Sequence, residues 1–224
     1  MSRPDPFAPV VALDIDGTAG EHHAHFIRFA EMWIGRPLPS ATQYTGGVPF
    51  HNYLGISRAT YNKVKLAYRQ GGMKRCMPVY EGIGEFTRHV RKSGCQLWIT
   101  TTRPYLRLDN MDPDTRHWLT KRAHIQYDAV LYGPHKYRDL AKAVGSERVV
   151  MVYDDLPKMI EQAHSVGLPT TLRLQPYNAY WLDGTHGGSG ITHVASNVIV
   201  MWEIFNDAWE KFQVNEQWRR IREG

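Results

Sequence analysis

The sequence predicts an α/β fold: a parallel sheet core with helices on both faces and a small helical insertion after the first strand. Three observations predict it. Short apolar runs bounded by turn residues alternate with segments of helical periodicity, the pattern of strands joined by crossover helices. A length of 224 residues, 42% hydrophobic and 22% charged, suits one globular core carrying an insertion. The roughly sixty residues after the first apolar run contain helical spacing and turn-rich connections but nothing strand-like.

The first strand is "VVALDID", residues 10–16, an apolar run that ends in Asp14 and Asp16. Alternate side chains of an extended chain share a face, so both carboxylates are expected to point the same way from the strand's carboxyl end. Two like charges there repel. A bound cation, a raised pKa on one member, or solvation at a turn must offset the cost.

The insertion spans residues 19–77. It holds a helix over "HHAHFIRFAEMWIG" and another around Tyr61, Val64 and Tyr68, separated by "RPLPSATQYTGGVP". The core comprises residues 1–18 and 78–224. A helix over "EGIGEFTRHVRKSG" puts Ile83, Phe86 and Val90 on one face and stops at Gly94. The strand "QLWITT" follows. "MDPDTRHWLTKR" opens a helix with Asp112 as N-cap and Pro113 at the first helical position. Then come the strand "AVLY", the helix "KYRDLAKAVG", the strand "RVVMVYDD", the helix "LPKMIEQAHSVG" and the strand "TTLRL". "DGTHGGSG" lacks the Gly-Lys-Ser/Thr of a phosphate loop and reads as a flexible connection. The tail "NVIVMWEIFNDAWEKF" has apolar residues at helical spacing and is expected to pack on the core.

Composition narrows the function. No apolar stretch approaches the ~20 residues of a membrane span, and "MSRPDPFAPV" lacks a signal-peptide apolar region, so a cytoplasmic protein without membrane contact is expected. Cys76 and Cys95 form no paired metal-ligand spacing and no disulfide framework. The balance of 27 Lys and Arg against 22 Asp and Glu, +5, favours anionic ligands and suits phosphate-bearing substrates. His22, His23 and His25 offer one i,i+3 pair and read as a solvated or substrate-facing helix rather than a metal site.

Ligands of open α/β sheets collect beyond the carboxyl ends of the strands. Three strands end in chemically capable residues: Asp14 with Asp16, Thr101 with Thr102 and Arg103, and Asp154 with Asp155. Lys136 follows a further strand at the start of its helix. In a parallel sheet these clusters converge on one edge, and several carboxylates together make a hard oxygen site suited to Mg²⁺.

"LDIDGT", then a strand ending in Thr, then a Lys, then a strand ending in "DD", resembles the four ordered motifs of the haloacid dehalogenase-like phosphohydrolases. The resemblance covers roughly residues 8 to 175 and implies a Rossmann-like core with a helical cap between the first and second motifs. It implies that Asp14 is the nucleophile that forms an aspartyl-phosphate, and that Asp16 is the general acid and base whose carbonyl reaches the metal. Thr101 is the implied phosphoryl-binding hydroxyl, with Thr100 and Thr102 as alternatives, and Lys136 the implied neutralising cation. Asp154 and Asp155 are the implied further Mg²⁺ ligands, with the direct ligand left open between them.

Within the family the modest cap and strand-end "TT" are similar to 5'(3')-deoxyribonucleotidases, which implies a nucleoside monophosphate substrate. Phe26, Trp33, Tyr44, Phe50 and Tyr53 would offer the base a stacking surface. Arg103, two beyond Thr101, is instead similar to the 3'-phosphatase domains of phage polynucleotide kinases, which implies a phosphate clamp and a nucleic-acid end as substrate. The nucleotidase reading leads. A catalytically silent binding module on the same fold is the third alternative.

Overall fold

The computed structural model describes residues 7–104, 108–182 and 191–223. Residues 183–190, read above as a flexible connection, lie outside them. The sheet has six strands, β1 (Val10–Leu13), β2 (Gln96–Thr101), β3 (Ala129–Tyr132), β4 (Val149–Asp154), β5 (Thr170–Arg173) and β6 (His193–Ala195), in the order β3-β2-β1-β4-β5-β6. Every pairing is parallel. The α/β expectation is borne out. β6 has no counterpart in the sequence reading; three residues are too few for a periodic signal.

Alternation along β1 explains the layering. Val11 and Leu13 enter one hydrophobic cluster and Val10 and Ala12 the other, so each face of the strand meets its own helices. The first cluster includes side chains from α4 (Ile83–Lys92) and α8 (Val198–Glu223), among them Phe86, Val90, Met201 and Phe205. The second is closed by α6 (Lys136–Val144) and α7 (Pro157–His164) through Tyr137, Leu140, Met159 and Ala163. The Tyr153 hydroxyl donates to the Met201 carbonyl at 3.0 Å and ties α8 to the central strand.

The insertion holds α1 (His22–Ile34), α2 (Phe50–Tyr53) and α3 (Arg58–Gln70), and it has a small apolar cluster of its own built on Phe26, Ile27, Ala30, Leu54, Val64 and Tyr68. Its two crossings to the core lie side by side, where Gly20 bridges Val79 and the Tyr80 amide donates to the Ala19 carbonyl at 3.0 Å. One boundary differs from expectation. α5 (Met111–His117) takes Asn110 rather than Asp112 at its N-cap, because the Asp112 carboxylate is held by Arg116 and the Tyr132 hydroxyl. The helix then loosens into a π turn over Trp118–Arg122.

Candidate active site

The chain runs from β1 out to β2 and β3, then returns to β4 on the other side of β1. The crevice beyond the carboxyl ends of β1 and β4 is therefore the topological switch point. Asp14 follows β1 there, and its amide donates to the Tyr153 carbonyl at 3.0 Å. Asp14, Asp154 and Asp155 are all buried, and one carboxylate oxygen from each lies within 4.8 Å of the others. Lys136, the first residue of α6, places Nζ 2.5 Å from Asp14 Oδ1, 2.6 Å from Asp154 Oδ2 and 3.3 Å from the Thr100 carbonyl. Asp154 has both oxygens engaged: Oδ2 also accepts from the Tyr137 hydroxyl at 2.6 Å and Oδ1 from the Leu156 amide at 2.8 Å. Asp155 accepts from the Tyr177 hydroxyl and, at 3.3 Å, from Thr18. Gly17, at φ +100, runs so close under Asp155 and Tyr177 that a Cβ would collide with both.

Burial is the main influence on these groups. It raises the Asp14 carboxyl from 3.8 to about 7, with Lys136 pulling it back and Asp154 adding to the rise. Burial, with Asp154 and Asp14 beside it, also pushes Asp155 well above the carboxylate range. Lys136 is disfavoured by burial, yet its two carboxylates hold it protonated. With all three carboxylates ionised against one ammonium, two negative charges would be in excess in an all-oxygen donor set, and burial answers that excess here by raising the proton affinity of Asp14 and Asp155. A divalent hard cation fits both the charge and the donors.

Asp16 has a different environment. Arg103 donates from Nη2 to Oδ1 at 2.7 Å and from Nε to Oδ2 at 3.3 Å, and Lys74 from Nζ to Oδ2 at 2.6 Å. Burial opposes ionisation of Asp16, but Arg103 and Lys74 outweigh it and hold the carboxyl well below its ordinary range. Asp16 has protein cations of its own, and its carboxylate is outside the three-aspartate cluster. Arg103, expected on a substrate phosphate, here grips Asp16 and the Thr115 hydroxyl, the latter at 3.0 Å. Of the three candidate threonines, Thr100 turns its hydroxyl to Tyr137 at 3.3 Å, Thr101 accepts from the Arg103 amide at 3.4 Å, and Thr102 is exposed.

Around the mouth, His23 lies 4.8 Å from Phe50 and 4.2 Å from Tyr177 between ring centroids, and Tyr44 and Tyr53 continue the group. Phe26 lies 6.1 Å from Phe50 between ring centroids but is buried in the insertion's own cluster, and Trp33 is an exposed residue of α1. The histidines are less solvated than expected, His22 meeting Lys74 at 3.2 Å and His25 the Tyr68 hydroxyl at 2.7 Å. Lys74, Tyr137 and Tyr177 were missed in the sequence. Lys74 and Tyr177 sit in no motif and reach the site only through the fold, whereas Tyr137 is signalled weakly by its place next to Lys136.

No protein-family model matches the chain, and no curated protein matches it. Solved structures do. A haloacid dehalogenase family hydrolase from Deinococcus radiodurans, with bound phosphate and sodium, is 16% identical and aligns with a TM-score of 0.61 over 91% of this chain and 96% of its own. A haloacid dehalogenase-like hydrolase from Streptococcus pneumoniae is 15% identical, TM-score 0.59, over 88% and 98%. CbbY from Rhodobacter sphaeroides in complex with xylulose-(1,5)bisphosphate is 14% identical, TM-score 0.56, over 85% and 94%. The chain adopts the haloacid dehalogenase-like hydrolase fold.

Proposed function

We propose that the protein is a Mg²⁺-dependent phosphomonoester hydrolase that works through an aspartyl-phosphate on Asp14 and takes a nucleotide-type ester as substrate. The observation that carries this reading is the buried cluster of Asp14, Asp154 and Asp155 around Lys136 at the switch point. The fold shared with hydrolases and phosphatases supports it, as does the sugar bisphosphate bound by CbbY. The ring group of His23, Tyr44 and Phe50 at the mouth supports a base on the substrate.

Lys136 occupies Asp14 Oδ1, which leaves Oδ2 as the attacking oxygen. As the Oδ2–phosphorus bond forms, the bond from phosphorus to the ester oxygen breaks, and that oxygen takes a proton. Lys136 neutralises charge on the nucleophile and the transferring group. Asp16 is the acid that gives the proton and, once ionised, the base that takes one from the water attacking the aspartyl-phosphate. In the present arrangement Arg103 and Lys74 hold Asp16 ionised, the form needed for the second half; when the two cations turn to the phosphoryl group, its proton affinity rises for the first. Asp14 and Asp155 would hold Mg²⁺, with Asp155 the freer of the tandem pair because both Asp154 oxygens have close protein donors. The Asp16 carbonyl would add a further oxygen. The ion would neutralise the carboxylate cluster and polarise the phosphoryl oxygens.

The test is phosphate release from para-nitrophenyl phosphate and a panel of nucleotides with Mg²⁺. Turnover of these esters by wild type, absent in Asp14→Asn, is expected. A folded wild-type protein inert on every ester would overturn the reading and promote the silent binding module.

A further inference from the structure

β5 ends in Arg173, whose residue is only 6% exposed, so its charge is taken out of water. A buried cation needs a counter-charge and a full set of acceptors. Arg173 has neither. No carboxylate lies within ion-pair distance of it among the described residues. Nη1 donates to the Ala195 carbonyl at 3.3 Å and to the Ser196 carbonyl, and the guanidinium carbon lies 5.2 Å from the centre of the Tyr80 ring. Nε finds no acceptor, and Nη2 finds none among the described residues. The hydrogens of Nε and Nη2 share one edge of the guanidinium, and such an edge takes both oxygens of a carboxylate.

Arg173 lines a cavity of about 540 Å³, a size that suits a small ligand. Tyr80, Ile199 and Trp202 give it apolar walls. Ile199 is 71% exposed although apolar, and Trp202 is stacked on His89 with ring centroids 4.4 Å apart, which holds it as a flat face. Two helices begin at this cavity, α4 after Gly82 and α8 at Val198, and the positive ends of their dipoles add to the charge of Arg173. The other charged residues of the lining are Glu81 and Glu85; both are exposed, and Glu85 is paired with Arg88 at 2.6 Å. The cation therefore sits deep and the carboxylates at the rim. That order holds one negative charge at the inner end and disfavours a ligand that carries more. A dianionic phosphate is the poorer fit, and none of Asp14, Asp16, Lys136, Asp154 and Asp155 lines the cavity.

We propose that this cavity is a second binding site, for an organic monocarboxylate with a flat apolar body. Its carboxylate takes the free edge of Arg173, and its body lies against Trp202 and Ile199. The site stands independently of the phosphatase reading.

The test is titration of the full chain with para-fluorobenzoate followed by fluorine NMR, beside para-fluorobenzamide, acetate and inorganic phosphate. Saturable binding of para-fluorobenzoate is expected with a Kd on the order of 1 mM or below. The amide keeps the ring and loses the charge, and should bind about 10-fold more weakly, as loss of a charge-assisted contact dictates. Acetate keeps the charge and loses the ring, and should also bind more weakly. Phosphate at equal concentration should not displace the probe. Arg173→Gln should abolish binding. Because that change falls in the interior, Trp202→Ala and Glu81→Gln carry the test on the cavity wall, with thermal melts confirming that each is folded. Trp202→Ala should weaken the probe about 5-fold through the lost ring contact, and Glu81→Gln should tighten it about 2- to 5-fold by removing a like charge at the rim. Absence of saturable binding, an amide that binds as tightly as the acid, displacement by equal phosphate, or an affinity unmoved in both wall variants would each overturn the site.

Discussion

Asp14→Asn should stabilise the metal-free protein while abolishing turnover, and the size of the effect follows from the site. An acid whose folded pKa lies above its unfolded value costs stability as pH rises between the two. Asp14 goes from 3.8 to about 7 on folding, so the cost starts near pH 4 and is complete above pH 7. About three pH units at 1.36 kcal/mol each is about 4 kcal/mol. Asparagine removes that cost, and the contact with Lys136 is already counted in it, because Lys136 pulls the Asp14 carboxyl below where burial alone would put it. The gain at pH 8 is about 4 kcal/mol, or about 8–16 °C in Tm for a chain of this size. At pH 5.5 only about half the cost has developed, and the gain is about 2 kcal/mol. The assay is thermal unfolding of both proteins in chelator at pH 5.5 and pH 8. Saturating Mg²⁺ should raise wild type and narrow the gap, since a ligand at 100 times its Kd adds about 2.7 kcal/mol. A variant no more stable than wild type at pH 8, or a difference that does not grow with pH, would refute the account of Asp14 as a carboxylate held against its own desolvation.

Arg103→Ala should lower kcat by about 100-fold on every ester, and the acidic limb of its pH–rate profile should move to higher pH, because Asp16 loses the cation that most strongly keeps it ionised; an unmoved limb would dissociate Arg103 from Asp16. Tyr177→Phe removes a donor to Asp155 and should raise the Mg²⁺ concentration for half-maximal activity by about 10-fold, read from a metal titration of initial rates. Activity should vanish in excess chelator, return with Mg²⁺ and return poorly with Ca²⁺, whose larger and looser coordination spoils in-line geometry; full activity in chelator would sink the metal assignment.

The parts of the fold legible in the sequence were those with a local signal. β1 through β5 are short apolar runs between turn residues, and α1, α4, α6 and α7 have one-sided apolar spacing, so each announced itself. Asp14, Lys136 and the Asp154–Asp155 pair were legible because each stands at the end or start of such an element, and a parallel sheet brings those ends to one edge. What stayed hidden depends on side chains meeting across distance. Asp112 looks like an N-cap until Arg116 and Tyr132 claim its carboxylate. Lys74 is 58 residues from Asp16 in the chain, on a short 3₁₀ turn with no periodicity. Phe26 and Trp33 belong to one helix with Phe29, and only the packing of α1 on α3 decides that Phe26 is core and Trp33 is surface.

The two aspartates of "DID" show why the insertion matters to the chemistry. Asp14 and Asp16 are separated by Ile15, which is fully buried in the core and anchors the turn between them. On one side of that anchor the core supplies Asp154, Asp155 and a single lysine, and Asp14 is pushed up. On the other side the loop after β2 supplies Arg103, the exit of the insertion supplies Lys74, and Asp16 is pushed down. The two carboxylates are driven apart in proton affinity in the order opposite to the one the proposed roles need, and a cation at Asp14 together with a phosphoryl group drawing Arg103 and Lys74 off Asp16 would reverse it. The core alone builds only the first of the two environments. Lys74 stands just before the chain returns to the core at the Gly20–Val79 bridge, so any shift of the insertion about that crossing changes the charge on Asp16 before it changes anything at Asp14. Under the proposed mechanism a substrate that attracts Lys74 and Arg103 away from Asp16 would ready the acid by binding, and Lys74 is the one of the two cations that the insertion's exit carries.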